Sequence, residues 1–243
     1  MNAVRSALGD MVITFFWVIL SSTFRMQTAA IISAAGFHGI TWAPPLVTTL
    51  VIFVSISIFA VIGDFLGGAS FSPCGNAAFY TAGVSGDSLF SLALRSPAQA
   101  VGAAGGATMV MEMIPEKYKS MIGVPLWKVD AHVGAASEVV LNFCITFLVL
   151  LIILRGPRRL LAKTFLLAVA TVSLFLAGSN FTRPFMNPAI AFGWAYFYKS
   201  HNVWDHFYVY WISSFTGTFL SATLFRTLFP PPLPPAQKKQ KKA

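Results

Sequence analysis

Two short segments of similar design carry residue types that can start a helix and contact a small molecule at its tip. In each, a polar residue, a proline and a small residue follow one another: Ser72, Pro73 and Cys74, and Asn187, Pro188 and Ala189. The Ser or Asn oxygen caps free backbone N–H groups, and proline at the first helical position gives up a donor that would be unpaired anyway. The pattern predicts short helices over residues 73–82 and 188–198, whose N-termini carry partial positive charge.

Two acidic residues hold matching positions in the two halves of the chain. Asp10 is followed four residues on by Thr14, and Glu138 is followed by Asn142 at the same offset. Each acid lies near the start of an apolar stretch, where an ionisable side chain is a candidate for proton transfer.

The sequence lacks a constellation for catalysis. A membrane enzyme would need a nucleophile with a base, or a set of metal ligands, at one face, and no group of His, Asp, Glu and Cys has suitable spacing. The cysteines Cys74 and Cys144 cannot build a disulfide framework or a CxxC metal site. We therefore expect neither an enzyme nor a bound metal or cofactor.

The composition is that of a membrane protein. Of 243 residues, 56% are hydrophobic and only 10% are charged, whereas a soluble domain carries charge on about a quarter of its residues. The net charge of +9 comes from basic residues that lie between apolar stretches. Positive-inside topology places basic residues in this way, so the expected partner is a lipid bilayer and not nucleic acid.

Six apolar stretches are long enough to cross a bilayer. They cover residues 7–35, 45–62, 92–113, 132–154, 160–178 and 204–229. The two short helices have roughly half the length that a bilayer requires, so neither crosses alone. Because irregular backbone at membrane depth is tolerated only inside protein or beside a watery cavity, we expect the two to meet at mid-membrane around a pore.

The order of the elements predicts an inverted repeat. Each half has three spans, an odd number, so the second half enters the membrane in the opposite sense. Inversion directs both short-helix N-termini at one midplane point, where cations and protons are disfavoured.

The basic residues predict that both termini face the cytosol. The loop with Arg155, Arg158, Arg159 and Lys163 has no acid, and the C-terminal tail is Pro-rich and then Lys-rich. The last residues, including Lys239 and Lys241, resemble the lysine-based retrieval signal of endoplasmic reticulum membrane proteins. Attraction of a polybasic tail to anionic lipid is the alternative.

These motifs together resemble an aquaporin over residues 7–230. The resemblance rests on the paired short-helix motifs, the two acids, and the segments Gln99-Ala-Val-Gly102-Ala103 and Trp211-Ile-Ser-Ser-Phe215-Thr-Gly217. The altered first motif, the segment from Asn187 to Tyr196 and the lysine tail resemble, more narrowly, the plant small basic intrinsic proteins. The first motif departs from the family, because Ser72 stands for the usual Asn and Cys74 for the usual Ala.

The resemblance implies an all-α membrane protein with six transmembrane helices, two re-entrant half-helices and an inverted repeat. It implies one channel domain over residues 1–230, with repeats of about 7–113 and 132–229, followed by a cytosolic tail over 231–243. It further implies a homotetramer with one pore per subunit. Asn187 would donate hydrogen bonds to passing water, and Asp10 and Glu138 would be structural acids that accept hydrogen bonds from the half-helix loops.

The same resemblance gives the residues of the selectivity constriction. Water-selective aquaporins usually place an Arg directly after the second motif, where this chain has Ile190. The other narrow-site positions fall on Ile52, Pro184 and Phe175, or its neighbour Leu174. None of these side chains donates a hydrogen bond, so we expect an apolar constriction that is less stringent toward neutral solutes or slow for water.

The expected function is a passive channel for water and small neutral solutes in the endoplasmic reticulum membrane. A proton-coupled transporter, which also uses inverted repeats and broken helices, is one alternative. A poorly conducting structural homologue of aquaporins is the other.

Overall fold

The computed structural model describes residues 3–201 and 203–231. Regular structure in these residues is helical, with one isolated antiparallel bridge between Trp127 and Thr182. The first half contains α1 Ala3–Ser22, α2 Phe24–Ala35, α3 Ala43–Phe65, α4 Pro73–Thr81, α5 Leu89–Met113 and α6 Glu116–Lys119. The second half contains α7 Ala131–Leu154, α8 Leu160–Gly178, α9 Pro188–Phe197, α10 Trp204–Phe207, a π-helix Tyr208–Ile212 and α11 Ser213–Leu228.

Six long helical spans and two half-length helices follow one another in the predicted order. The continuous pair α1–α2, then α3 and α5, form the first three spans, and α7, α8 and the run from α10 to α11 form the second three. The half-helices α4 and α9 have 9 and 10 residues. All ends lie within about four residues of the predicted ones, so the predicted all-α architecture is confirmed. Lys239 and Lys241 of the tail lie outside the described residues.

The spans differ in polarity according to what surrounds them. In the described part of the chain, four helical stretches are long and apolar enough to cross a membrane: Ala3–Ala34, Ala43–Phe65, Ala131–Leu154 and Leu160–Gly178. The other two spans are more polar because they bury polar groups against protein: α5 buries Arg95 and Gln99, and α11 buries Ser214 and Thr218. A helix that faces other helices rather than lipid needs a less apolar surface.

Matching helix pairs hold each half together at a glycine. α5 packs on α1, and α11 packs on α7. A Cβ at Gly102 would overlap the carbonyl oxygen of Met11, and a Cβ at Gly217 would overlap the carbonyl oxygen of Val139. Met11 follows Asp10 and Val139 follows Glu138, so the two contacts are equivalent in the repeat. At both sites the absence of a side chain lets the two backbones touch.

Substituting Gly102→Ala is expected to lower the free energy of unfolding by about 1–3 kcal/mol, because the new methyl group overpacks the α1–α5 contact. Gly217→Ala should have a similar effect at the α7–α11 contact. Denaturant-induced unfolding of the purified protein in detergent measures both. Gly86→Ala is the matched control, since a Cβ there meets nothing within 4 Å; a loss at Gly86 as large as at Gly102 would contradict the packing explanation.

Candidate functional site

The N-termini of the half-helices α4 and α9 meet through the side chain of Asn187. Its Oδ1 accepts hydrogen bonds from the backbone N–H groups of Ala189 at 3.1 Å and Ile190 at 3.4 Å, which caps α9. Its Nδ2 donates to the carbonyl oxygen of Phe71 at 2.7 Å, in the loop just before α4. One side chain therefore caps its own half-helix and links it to the other.

Ser72 caps α4 without making the corresponding link. Its Oγ accepts from the backbone N–H of Gly75 at 3.2 Å. By the symmetry of the repeat, an Asn at this position would donate to the carbonyl of Met186, the residue before Asn187. In residues 3–201 and 203–231, the Ser72 side chain makes no hydrogen bond to the second half. Its hydroxyl hydrogen is thus available to a molecule beside it.

A cavity of about 540 Å³ lies where the two half-helices meet. Ser72, Cys74 and Asn187 line it, together with Ile52 and Ile190. Its wall is mostly apolar and aromatic, and it includes the indole of Trp17, which stacks on Phe71 with ring centroids 4.2 Å apart. An apolar wall with a few polar groups at one level is suited to small molecules that need few hydrogen-bond partners.

The four expected constriction residues do not all line this cavity. Ile52 and Ile190 line it, but Phe175, its neighbour Leu174 and Pro184 do not. The rotation of α8 explains the difference: Ala168 and Val172 pack with Ile52 of α3, while Leu167 and Thr171 line the cavity. The Phe175 side chain is 45% exposed, and Pro184 is buried beside Gly178. The structure thus brings two of the four to the cavity.

Asp10 binds the loop that leads into α4. Its fully buried carboxylate accepts from the backbone N–H of Ser70 at 2.8 Å, from Nδ2 of Asn76 at 3.0 Å and from Nε2 of Gln99 at 2.8 Å. The Gln99 amide also donates to the carbonyl of Ser70 at 2.7 Å. Asp10 and Gln99 thereby hold both backbone polar groups of Ser70, two residues before the cap of α4.

A buried arginine completes the Asp10 site. Nε of Arg95 lies 2.7 Å from one Asp10 oxygen and Nη2 lies 2.9 Å from the other, a two-pronged ion pair. Nη2 also donates to the carbonyl of Gly68 at 3.2 Å, and Nη1 donates to Asp87 at 2.9 Å. Although partial burial opposes it, the pKa of Asp87 is lowered by hydrogen bonds from Ser85 and Ser91 and by the charge of Arg95.

Glu138 binds the loop that leads into α9 without a cation. Its buried carboxylate accepts from Oγ1 of Thr182 at 2.9 Å and from Nδ2 of Asn142 at 3.3 Å. Among the described residues, no arginine, lysine or histidine forms an ion pair with it. The two acids therefore occupy equivalent positions with different partners.

The sequence reasoning missed Arg95 and Asn76. Arg95 lies four residues before Gln99, so the two share a face of α5. An arginine on the same helical face as a motif glutamine was a usable signal. Asn76 gave no comparable signal, because its partner Asp10 is 66 residues away in the chain.

Neither cysteine has a covalent partner in the structure. Cys74 is buried in the cavity wall and Cys144 is half-buried, and both thiols are free. Over the described residues, no group of three or more His, Cys, Asp and Glu side chains is placed to hold a metal ion.

Comparison with known proteins identifies relatives along the whole chain. A family model described as "Major intrinsic protein" matches residues 1–225. The chain is 78% identical to the probable aquaporin SIP1-2 and 66% identical to aquaporin SIP1-1, both of Arabidopsis thaliana, over 100% of each chain. Among solved structures, the aquaglyceroporin from Plasmodium falciparum matches with a TM-score of 0.67 at 16% identity, covering 94% of this chain and 96% of that chain. The latter likeness concerns the fold.

Substituting Asp10→Asn is expected to cost more stability than Glu138→Gln. The first change leaves the buried charge of Arg95 with Asp87 alone, and breaking a buried ion pair costs about 3–5 kcal/mol. The second removes only hydrogen bonds of a carboxylate that has no cation, which costs about 1–3 kcal/mol. Denaturant-induced unfolding in detergent measures both, with Asp64→Asn as the exposed control. Equal losses at the two acids would contradict the difference in their partners.

Proposed function

The chain belongs to the major intrinsic protein family and to its small basic intrinsic proteins, so it is a membrane channel and not an enzyme; we propose that it passes water and small neutral solutes through the cavity between α4 and α9. The observation that carries this proposal is the meeting of two capped half-helix N-termini at one cavity. Two positive dipole ends directed at one place oppose cations and protons and leave neutral molecules free to pass.

Hydrogen-bond donors at the cavity supply the contacts that water needs. The Asn187 amide has two hydrogens, of which the Phe71 carbonyl takes one. In this proposal, the second amide hydrogen of Asn187 and the hydroxyl hydrogen of Ser72 both donate to passing water. A serine offers one donor where an asparagine offers two, so the first half contributes less to orienting water than the second.

An apolar constriction sets the solute range in this proposal. Ile52 and Ile190, which line the cavity, offer no side-chain donor that would bind solutes or select among them. Without an arginine at this level, small neutral molecules meet neither a fixed charge nor a demand for particular hydrogen bonds. Glycerol, urea and hydrogen peroxide are suitable probes of this class.

The contacts of the two acids favour a passive channel over a proton-coupled transporter. A proton carrier must release and take up its proton, but the Asp10 carboxylate is held by the two-pronged Arg95 contact and three further donors. Asp10 and Glu138 are proposed instead as structural acids that fix the loops before the half-helices.

The site of action is proposed as the endoplasmic reticulum membrane, with both termini in the cytosol and four copies forming a homotetramer. The short α7–α8 loop carries Arg155, Arg158 and Arg159 without an acid, as cytosolic loops do. With six spans, this topology puts the C-terminal side of α11 on the same side of the membrane as this loop. A retrieval signal at Lys239 and Lys241 would then be readable from the cytosol.

Stopped-flow shrinkage of proteoliposomes tests the proposed function. Vesicles that contain the purified protein should shrink faster than empty liposomes, with a low activation energy. Uptake of glycerol or urea should be measurable on the same preparation. Ile190→Arg is expected to lower glycerol and urea uptake by about tenfold, because a charged and longer side chain enters an apolar constriction. Its effect on water should be smaller.

Two outcomes would contradict this proposal. Shrinkage no faster than that of empty liposomes would exclude a water channel and favour a larger neutral solute or a non-conducting role. An Ile190→Arg variant unchanged in both rate and selectivity would show that Ile190 is not part of the constriction. Ile190→Val is the matched control, because it changes the same residue and keeps the wall of the cavity apolar.

Substituting both Lys239→Ser and Lys241→Ser is expected to release the protein from the endoplasmic reticulum, since the retrieval signal depends on these charges. Imaging of a protein tagged at its N-terminus measures the shift, and Lys117→Ser with Lys119→Ser is a control that removes the same charge elsewhere. Retention of the tail variant in the endoplasmic reticulum would contradict retrieval and favour attraction of the tail to anionic lipid.

A further inference from the structure

The two halves of the repeat differ at one position beside the acids. Gly102 contacts the residue after Asp10, and Gly217 contacts the residue after Glu138. Counting back seven residues from each glycine gives Arg95 on α5 and Tyr210 in the π-helix that leads into α11. The Tyr210 hydroxyl accepts from the backbone N–H of Leu126 at 3.0 Å and carries no positive charge. The first half therefore has a cation where the second has a phenol.

The same two halves differ at the half-helix caps. Asn187 links α9 to the loop before α4, whereas Ser72 makes no such link from α4 to the second half in the part of the chain described. The half with the arginine is the half with the missing link. Two departures from symmetry thus fall on the same half-helix.

We propose that Arg95 is a positioning residue that holds the loop before α4 in place of the hydrogen bond that Ser72 does not make. The inference depends on the proposed channel function only where it is tested by water permeability. Arg95, Asp10 and Gly68, joined by the contacts above, are called the Arg95 clasp from here on.

A continuous set of hydrogen bonds connects the Arg95 clasp to the pore. Arg95 binds the carbonyl of Gly68 at 3.2 Å and both oxygens of Asp10. Asp10 holds the N–H of Ser70 at 2.8 Å, and the Ser70 hydroxyl accepts from the N–H of Ser72 at 3.2 Å. The position of the Ser72 cap in the cavity wall therefore depends on an arginine outside the cavity lining.

The guanidinium shape suits this task. Arg95 contacts Asp10, Asp87 and Gly68 at once, through three different nitrogen atoms. Its planar fork fits a carboxylate with two parallel bonds, which a lysine ammonium cannot reproduce. Asp87 lies in the connection between α4 and α5, so Arg95 also joins the segment after α4 to the segment before it.

Replacement of Arg95 in two backgrounds tests the proposal. Arg95→Gln is expected to lower the water permeability per protein by about tenfold in proteoliposomes, and Arg95→Lys should give an intermediate loss. In the Ser72→Asn background, the same Arg95→Gln change should lower permeability by less than about twofold, because the asparagine donates to the Met186 carbonyl as Asn187 donates to Phe71. Arg25→Gln, on the exposed side of α2, is the control.

Hydrogen–deuterium exchange in lipid nanodiscs gives a readout that does not require conduction. Arg95→Gln should speed exchange by about tenfold in peptides covering residues 68–76, while peptides covering 183–190 stay unchanged. Ser72→Asn should slow the exchange of residues 68–76 again. A general loss of structure would instead raise exchange in both regions.

Each result decides the proposal. Equal permeability loss from Arg95→Gln in both backgrounds, or unchanged exchange in residues 68–76, overturns it. If Arg95→Gln cannot be purified, Arg95→Lys and Asp87→Asn, which both keep a cation beside the Asp10 carboxylate, carry the same comparison in both backgrounds. If the unsubstituted protein passes no water, the proposed water conduction fails, and the exchange data still decide whether Arg95 holds the loop.

Discussion

A membrane interior offers no water to an unpaired backbone group, and this constraint governs the whole architecture. Every N–H and C=O at membrane depth must find a partner within the protein or at a watery cavity. The loops before α4 and α9 are the places where helical pairing stops inside the bundle. Buried acids meet the need: Asp10 takes the N–H of Ser70, and Glu138 takes the hydroxyl of Thr182. The tight glycine contacts beside both acids follow, since each carboxylate must reach its loop from the first helix of its half.

The two halves meet this constraint in chemically different ways. In the second half, neutral groups surround Glu138, and Asn187 both caps α9 and reaches across to Phe71. In the first half, Asp10 is neutralised by Arg95, and Ser72 caps α4 only. An inverted repeat therefore does not imply two equal halves of a pore. An ion pair anchors the loop before α4, and a carboxylate without a cation anchors the loop before α9.

Features set by local sequence were predictable, and features set by helix rotation were not. The half-helices follow from Ser72-Pro73 and Asn187-Pro188 because capping and proline act within one turn. Arg95 could be suspected from its place on the face of Gln99, but its pairing with Asp10, 85 residues away, follows only from the packing of α5 on α1. Phe175 was expected at the constriction from the family resemblance, but a resemblance in sequence does not fix the rotation of α8, which turns Ala168 and Val172 toward α3. The solute range belongs to the same class, because it depends on the width of the cavity as well as on the residue types that line it.

The buried pairing of Arg95 with Asp10 also bears on how the chain enters the bilayer during synthesis. An arginine within a helix is costly to transfer into lipid on its own, and α5 carries one among its buried residues. Its carboxylate partner is on α1, which is made first. Insertion of the third span is therefore favoured when the first span is still beside it. Because α1 is made before α5, it acts as an intramolecular chaperone for the insertion of α5. A substitution of Asp10 would therefore impair membrane insertion before it affects transport.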